Sequence, residues 1–191
     1  MIIMSLSTWV VTAQEVEKDS VKIKKWEVSA NYVYGEFTDD YAEGIYENLG
    51  GFGIAASRTV FKEWVGVGVY YKNISSDGTP YVHGYEDPDA KADIKISSWG
   101  PELFVTPFKF VKVYLRYGFV NVKEDLYSQI GDDSVDLDGK SFNYGVRFNM
   151  KVFKDLNLLL GVENSSIKMD DMDTDGRIDN WSMNFGVGYK F

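Results

Sequence analysis

A short segment near the end of the chain, residues 171–179, carries acidic residues at alternate positions in the order DMDTDGRID. The run D-x-D-x-D-G matches the first half of a calcium-binding loop, in which alternating carboxylates converge on a hard cation and the glycine allows a sharp turn. The bidentate glutamate expected at the twelfth position is replaced by Ser182, so the sequence predicts a weak calcium site, with a solvated acidic turn as the alternative. The predicted ligands are Asp171, Asp173, Asp175, Arg177 through its carbonyl oxygen, and Asp179 directly or through water.

His83 is the only histidine in the chain. A lipid-modifying enzyme would need it beside a serine and an acidic residue, because this kind of nucleophilic catalysis depends on a base within hydrogen-bond reach of the hydroxyl group. Serine and aspartate are plentiful, but no spacing connects any of them to His83. The sequence therefore predicts no catalytic residue and no enzyme, and a lipid-modifying enzyme is kept as an alternative.

The composition excludes several classes of function. The chain has 191 residues and a net charge of -9, whereas nucleic-acid binding needs a basic face. It has no cysteine, which excludes disulfides, a thiol nucleophile and thiolate metal sites. Although 45% of the residues are hydrophobic, no run reaches the roughly 18 apolar residues of a spanning helix. If the chain crosses a bilayer, it must do so as a closed β-barrel, in which all backbone polar groups are paired.

Apolar residues recur at every second position, which is the period of a β-strand. In residues 181–191 they alternate with serine, asparagine, glycine and lysine. Glycine in the polar row suits a narrow barrel, whose inward side needs space for large side chains. Seven further segments alternate in the same way: 25–37, 49–58, 64–72, 94–106, 111–120, 141–150 and 156–163.

The connections between these segments are of two kinds. Three short turns share a Phe-Lys pair and span residues 60–64, 107–111 and 152–156, whereas four longer loops span 38–48, 73–93, 121–140 and 164–180. Short turns at one end and long loops at the other are typical of outer-membrane barrels. Residues 25–191 are therefore predicted to form an all-β fold, an eight-stranded antiparallel up-and-down transmembrane β-barrel. Pro101 cannot donate to a ladder and predicts a bulge in its strand.

The N-terminal segment differs from the rest of the chain. Residues 1–13 (MIIMSLSTWVVTA) are uncharged and largely apolar, and they end in a small residue. This pattern predicts a secretory signal peptide that lacks the usual positive n-region. Residues 14–24 would then be a polar lead-in to the first strand.

The polar rows of the predicted strands contain charged residues that would face the lumen. The cations are Lys112, Arg116, Arg147 and Arg58, and the carboxylates are Glu27, Glu102 and Glu163. An eight-stranded barrel is just wide enough for side chains to fill it, and buried charges must pair. We therefore predict a salt-bridged, filled lumen and not a general porin, with a proton or ion path as the alternative.

The strand pattern and the closing segment WSMNFGVGYKF, residues 181–191, resemble the small eight-stranded outer-membrane barrels of the OmpA-transmembrane-domain and OmpX type. This resemblance implies the outer membrane of a Gram-negative-type bacterium, with a structural or surface-interaction role and no required cofactor. The partners it implies are outer-membrane lipid and lipopolysaccharide, the assembly machinery through the strand ending at Phe191, and an extracellular protein or glycan.

A soluble lipocalin-like ligand-binding barrel is the structural alternative. It has the same alternating strands, but its apolar row points inward around a ligand. The two hypotheses place Leu115, Phe148 and Phe185 on opposite sides of the wall: outward in the membrane barrel, inward in the soluble one.

Overall fold

A computed structural model describes residues 26–61, 64–79, 81–82, 85–86, 90–128, 131–170 and 177–191. The elements, in chain order, are β1 (Trp26–Phe37), α1 (Asp40–Glu43), β2 (Leu49–Phe61), β3 (Val65–Gly78), β4 (Tyr81–Val82), β5 (Tyr85–Glu86), β6 (Lys91–Phe108), β7 (Val111–Ser128), β8 (Gly131–Phe153), β9 (Leu156–Met169) and β10 (Arg177–Lys190). The predicted signal peptide and lead-in lie outside these residues. No helix in the described part of the chain is long and apolar enough to cross a membrane.

Eight of the strands form a closed antiparallel barrel in the order β1-β10-β9-β8-β7-β6-β3-β2. β1 closes the ring by pairing with β10 from Glu27–Lys190 to Phe37–Asn180. The pair β4 and β5 forms a separate two-stranded sheet. The predicted eight-stranded antiparallel barrel is confirmed.

The side chains of the wall alternate as expected for a membrane barrel. Leu115, Phe148 and Phe185 are exposed on the outer surface, whereas Arg116 and Arg147 are buried inside. The soluble-barrel hypothesis is therefore wrong for this part of the wall.

Short connections join β2 to β3, β6 to β7 and β8 to β9 at one end of the barrel. Next to each turn the register shifts by one residue, between Thr59 and Phe61, between Val105 and Phe108, and between Lys151 and Phe153. In the third turn Lys154 has a φ of 35°, the only positive φ of a non-glycine residue in the described ranges. A residue in the left-handed region beside a one-residue bulge is a common way to close a short hairpin.

The opposite end of the barrel differs from the prediction. Most of the segments predicted as loops continue the barrel strands: β3 extends to Gly78, β7 to Ser128 and β9 to Met169, and β8 already begins at Gly131. The reason is visible in β7, where the outward residue Phe119 is followed by the inward residue Val120. From this point the apolar residues occupy the inward row. A sequence pattern that expects apolar residues only on the outward row therefore ends at Phe119, although the strand continues.

We call the two parts of the barrel the turn half and the loop half. In the turn half most apolar side chains point outward, and the charged, serine and asparagine side chains point inward together with a few large ones such as Phe104, Tyr114 and Leu159. In the loop half this is reversed. The loop half consists of residues 36–49, 73–78, 91–97, 120–128, 131–140, 164–169 and 177–180.

Pro101 produces no bulge. It pairs with Val69 of β3, and the pairing with β7 keeps the same register on both sides of it, at Trp99–Phe119 and at Glu102–Arg116. Because proline has no backbone N–H, it cannot donate a hydrogen bond to the ladder at this position, but no extra residue is inserted into the strand. The predicted bulge is therefore wrong.

Candidate functional site

The interior of the turn half contains a network of buried ion pairs. Glu163, which is 2% exposed, accepts hydrogen bonds from Lys72 at 2.7 Å and from Arg116 at 2.6 Å. Arg116 also binds Glu102 at 2.8–2.9 Å. Because these residues come from β3, β6, β7 and β9, the network spans the lumen and connects opposite walls.

A second part of the network lies closer to the turns. Arg147 of β8 donates to Glu27 of β1. Lys112 of β7 lies 2.8 Å from Glu102 and 3.7 Å from Glu27, and its Nζ is 3.9 Å from the ring centroid of Phe104. Glu102 and Lys112 thereby connect the two parts of the network.

The sequence identified six of these seven buried charged residues. Lys72 was missed, although it shares the inward row of β3 with Tyr70. Arg58 was assigned to the lumen incorrectly: Ser57 fills the inward position, and Arg58 lies outside, with its Cζ 5.3 Å from the ring centroid of Trp26.

Above the charged network the interior becomes neutral and then apolar. Buried serine and asparagine side chains come first, such as Ser98, Asn143 and Ser182. A continuous apolar cluster follows, which lies in the loop half except for Val33 at its boundary on β1. Its buried members are Val33, Phe37, Ala42, Tyr46, Leu49, Ile74, Ala92, Ile94, Ile96, Val120, Val122, Ile167 and Met169.

The segment between β1 and β2 covers the apolar cluster at the open end of the barrel. α1 places Ala42 inside the cluster, and Asp39 caps it by accepting a hydrogen bond from the Ala42 backbone N–H at 2.9 Å. The Tyr46 hydroxyl donates to Glu124 of β7. The segment is therefore fixed to the barrel wall by both apolar and polar contacts.

At the turn end a cavity of about 50 Å³ opens beside the network. We call it the vestibule. Its wall includes Glu27, Ser57, Thr59, Lys112, Asn149 and Lys190. It is large enough for one or two water-sized species.

The outward face of the loop half carries basic residues opposite one another on neighbouring strands. Lys168 of β9 pairs with Lys140 of β8 on one side and with Arg177 of β10 on the other. We call these three residues the outer basic patch. Lys140 lies 3.6 Å from Asp170, and Arg177 lies 2.9 Å from Asp179, but Lys168 has no ion pair with another described residue. Like charges directly opposite in a sheet are destabilising, and the patch places three of them side by side.

Only part of the predicted calcium site can be located. Asp171, Asp173 and Asp175 lie outside the described residues, as does His83. Asp179 accepts a hydrogen bond from the Arg177 side chain, and its backbone N–H donates to Asp39 at 3.2 Å. The cation would therefore compete with the guanidinium group of Arg177 for the Asp179 carboxylate.

The sequence of the chain matches a known protein family. A family model described as "Outer membrane protein beta-barrel domain" matches residues 3–191. No curated protein is significantly similar to the chain in sequence.

Several solved structures share the fold. Ail, the attachment invasion locus protein of Yersinia pestis, aligns with a TM-score of 0.61 and 16% identity over 88% of this chain and 100% of its own. Neisserial surface protein A aligns with a TM-score of 0.51 and 15% identity over 87% and 97% of the two chains. The outer membrane protein OprG from Pseudomonas aeruginosa aligns with a TM-score of 0.51 and 14% identity over 89% and 97%. At these identities the likeness establishes the fold alone.

Proposed function

Because the chain belongs to the family of outer membrane protein β-barrel domains, we propose that it is a filled, non-conducting barrel with a structural and surface-interaction role. It is an outer-membrane protein of a Gram-negative-type bacterium. In this family orientation the short turns face the periplasm and the loop half faces outward.

The observation that carries the proposal is the succession of layers along the lumen. An ion or solute entering from the turn end meets the charged network and then the apolar cluster under the segment 38–48. An apolar constriction excludes ions by dewetting, and paired charges bridging the walls leave no continuous water path. Both layers support a closed lumen.

Planar-bilayer recording tests this proposal. Protein refolded into lipid and verified as folded by heat-modifiable gel migration should produce no stable openings of porin size. Stable porin-level conductance from the folded band would contradict it and favour an ion path.

Enzymatic activity is not part of the proposal. The prediction that the chain is not an enzyme would fail if the wild type modified lipid and His83→Ala abolished that activity.

For the surface-interaction role we propose phosphorylated or sulfated saccharides as ligands, bound at the outer basic patch. Lipopolysaccharide is the saccharide of this kind in the outer leaflet itself. The support comes from Lys168, which lies between two other cations without an acidic partner among the described residues. Ail, which shares the fold, has been solved in complex with the heparin analogue sucrose octasulfate.

The test compares two triple variants. Replacing Lys140, Lys168 and Arg177 by glutamine should weaken binding of sucrose octasulfate and of lipid A-containing vesicles at least tenfold. The matched control, Lys109→Gln/Lys151→Gln/Lys154→Gln, removes the same charge at the turn end and should bind like the wild type. Equal loss in both variants would indicate net charge alone, and loss of only one of the two ligands identifies which source of anionic saccharide the patch accepts.

Two further predictions stay open. Calcium at Asp171, Asp173, Asp175, Arg177 and Asp179 should raise the melting temperature of the protein when calcium is added at millimolar concentration. No change in melting temperature would contradict the site.

Recognition of β10, ending near Phe191, by the assembly machinery should fail when the outward aromatic residues Phe185 and Tyr189 are replaced by serine. Normal assembly of this variant would contradict the prediction.

A further inference from the structure

The buried charges of the lumen do not balance. Among the described residues, the buried cations are Lys72, Lys112, Arg116 and Arg147, and the buried carboxylates are Glu27, Glu102 and Glu163. The network therefore has one positive charge more than it has negative ones. An uncompensated charge in a medium of low dielectric constant costs several kcal/mol, so such a charge attracts a counter-ion.

The surplus lies at the turn end. Glu163 serves Lys72 and Arg116, and Glu102 serves Arg116 and Lys112. Glu27 faces Arg147, which bonds to it, and two further cations: Lys112 at 3.7 Å, which also binds Glu102, and the partly exposed Lys190 at 3.6 Å, which adds to the charge of the buried set. One carboxylate cannot neutralise three cations, and this is the carboxylate in the vestibule wall.

The vestibule also supplies neutral hydrogen-bond donors. Asn149 accepts a hydrogen bond from Arg147 through its Oδ1 atom at 3.2 Å, which leaves its amide nitrogen as a donor. The Thr59 hydroxyl shares the same wall. A positive surplus, neutral donors and space for one or two water-sized species occur together at this place.

We propose that the vestibule binds a small inorganic anion of the size of chloride, held by Lys112 and Lys190 with Asn149 and Thr59. The anion neutralises the surplus charge of the lumen from the periplasmic side. The Glu27 carboxylate also faces the cavity, but its charge is already balanced by its three cationic neighbours. This site is separate from the outer basic patch and does not depend on whether the lumen conducts.

Bromide titration of the refolded protein in micelles, at constant ionic strength set with the larger anion gluconate, tests the proposal. The backbone amide NMR signals of Ser57, Thr59 and Asn149 should shift saturably with bromide. Lys112→Met should weaken this binding at least tenfold, and Lys190→Met, whose side chain is partly exposed and tolerates replacement more readily, should weaken it by a smaller factor. Lys95→Met removes an exposed outward lysine of β6, in the loop half at the other end of the barrel, and should bind bromide like the wild type.

Three outcomes would overturn the proposal. They are the absence of saturation in the wild type, equal affinity in the wild type and in both vestibule variants, and equal loss of affinity in the Lys95→Met control. If Lys112→Met fails to give the heat-modifiable folded band, Lys190→Met decides the result. A conducting barrel that still shows the saturable shift would contradict the proposed closed lumen and leave the anion site intact.

Discussion

The turn half and the loop half of the barrel have opposite distributions of polar and apolar residues on one continuous backbone. On β7, Leu115 points outward and Arg116 inward in the turn half, whereas Lys123 points outward and Val122 inward in the loop half. Successive residues of a strand point to opposite faces throughout. The inversion therefore requires only one pair of adjacent apolar residues, here Phe119 and Val120.

This difference reflects the two surroundings of the barrel. The outer surface of the turn half faces lipid, which rewards apolar side chains, and its lumen accommodates the polar ones. In the orientation proposed above, the loop half extends beyond the lipid and its outer surface faces water. Its apolar side chains are then buried inside by the hydrophobic effect, as in a soluble barrel. The surrounding medium decides which row is apolar, and the backbone is the same in both.

The largest loss of stability is expected when an ion pair in the charged interior of the turn half is broken. Glu163→Ala removes the carboxylate that binds both Lys72 and Arg116, and removing one partner of a buried ion pair typically costs about 3–5 kcal/mol. We expect the free energy of unfolding in lipid vesicles to fall by about this amount. Glu36→Ala removes an exposed carboxylate of β1 and should change it by less than about 0.5 kcal/mol. Similar small changes in both variants would show that the network does not stabilise the barrel.

A somewhat smaller effect is expected in the apolar interior of the loop half. Ile74 of β3 is 0% exposed, and truncating a buried isoleucine to alanine costs about 2–5 kcal/mol. Urea unfolding should show this loss for Ile74→Ala. The neighbouring substitution Ser75→Ala, on the outward face, should change stability by less than about 0.5 kcal/mol. A neutral Ile74→Ala would mean that the loop half has no packed core.

A third comparison locates the boundary between the two halves on one face of one strand. Leu115 and Asn121 both point outward on β7. Arginine facing the middle of the bilayer costs about 2–4 kcal/mol, and arginine near the interface costs about 0–1 kcal/mol. Leu115→Arg should therefore destabilise the protein in lipid vesicles much more than Asn121→Arg. Equal costs would place both positions in the same medium and remove the distinction between the halves.

The turn half could be predicted from the sequence almost completely. There the alternation is uninterrupted, so parity alone places Arg116 and Arg147 inside and Phe148 and Phe185 outside. The same parity would have placed Lys72 inside and Arg58 outside, since Tyr70 and Ser57 occupy the inward rows of β3 and β2. Charge outweighed parity in the assignment of Arg58, whereas Lys72 was overlooked because the inward row of β3 was not followed beyond Tyr70.

The loop half could not be predicted in the same way. A strand whose apolar row changes sides loses its apparent period, and residues 121–128 and 131–140 were consequently assigned to a loop. If the odd-numbered residues of β7 are kept on the outward face beyond Phe119, the strand is predicted to continue through residues 121–128. The contact between Tyr46 and Glu124 joins residues far apart in the chain, and no local pattern indicates it.

The smallest effect concerns the outer surface of the loop half, where charges remain in contact with water. Asn121 donates a hydrogen bond to Asp136, and Lys123 lies 3.3 Å away, and together they lower the pKa of Asp136 below its usual value of 3.8. A carboxyl group whose pKa is lowered by folding stabilises the folded state above its unfolded pKa, and this contribution disappears as the pH falls through the folded pKa. The hydrogen bond from Asn121 is the largest cause of the lowered pKa. Carboxyl NMR titration should therefore show the pKa of Asp136 rising in Asn121→Ala and rising less in Lys123→Ala. Ion pairs at this exposed position should also weaken with added salt, unlike those of the lumen. An unchanged pKa in Asn121→Ala would mean that β7 and β8 do not hold these side chains together beyond the membrane, which would shorten the loop half at this point of the wall.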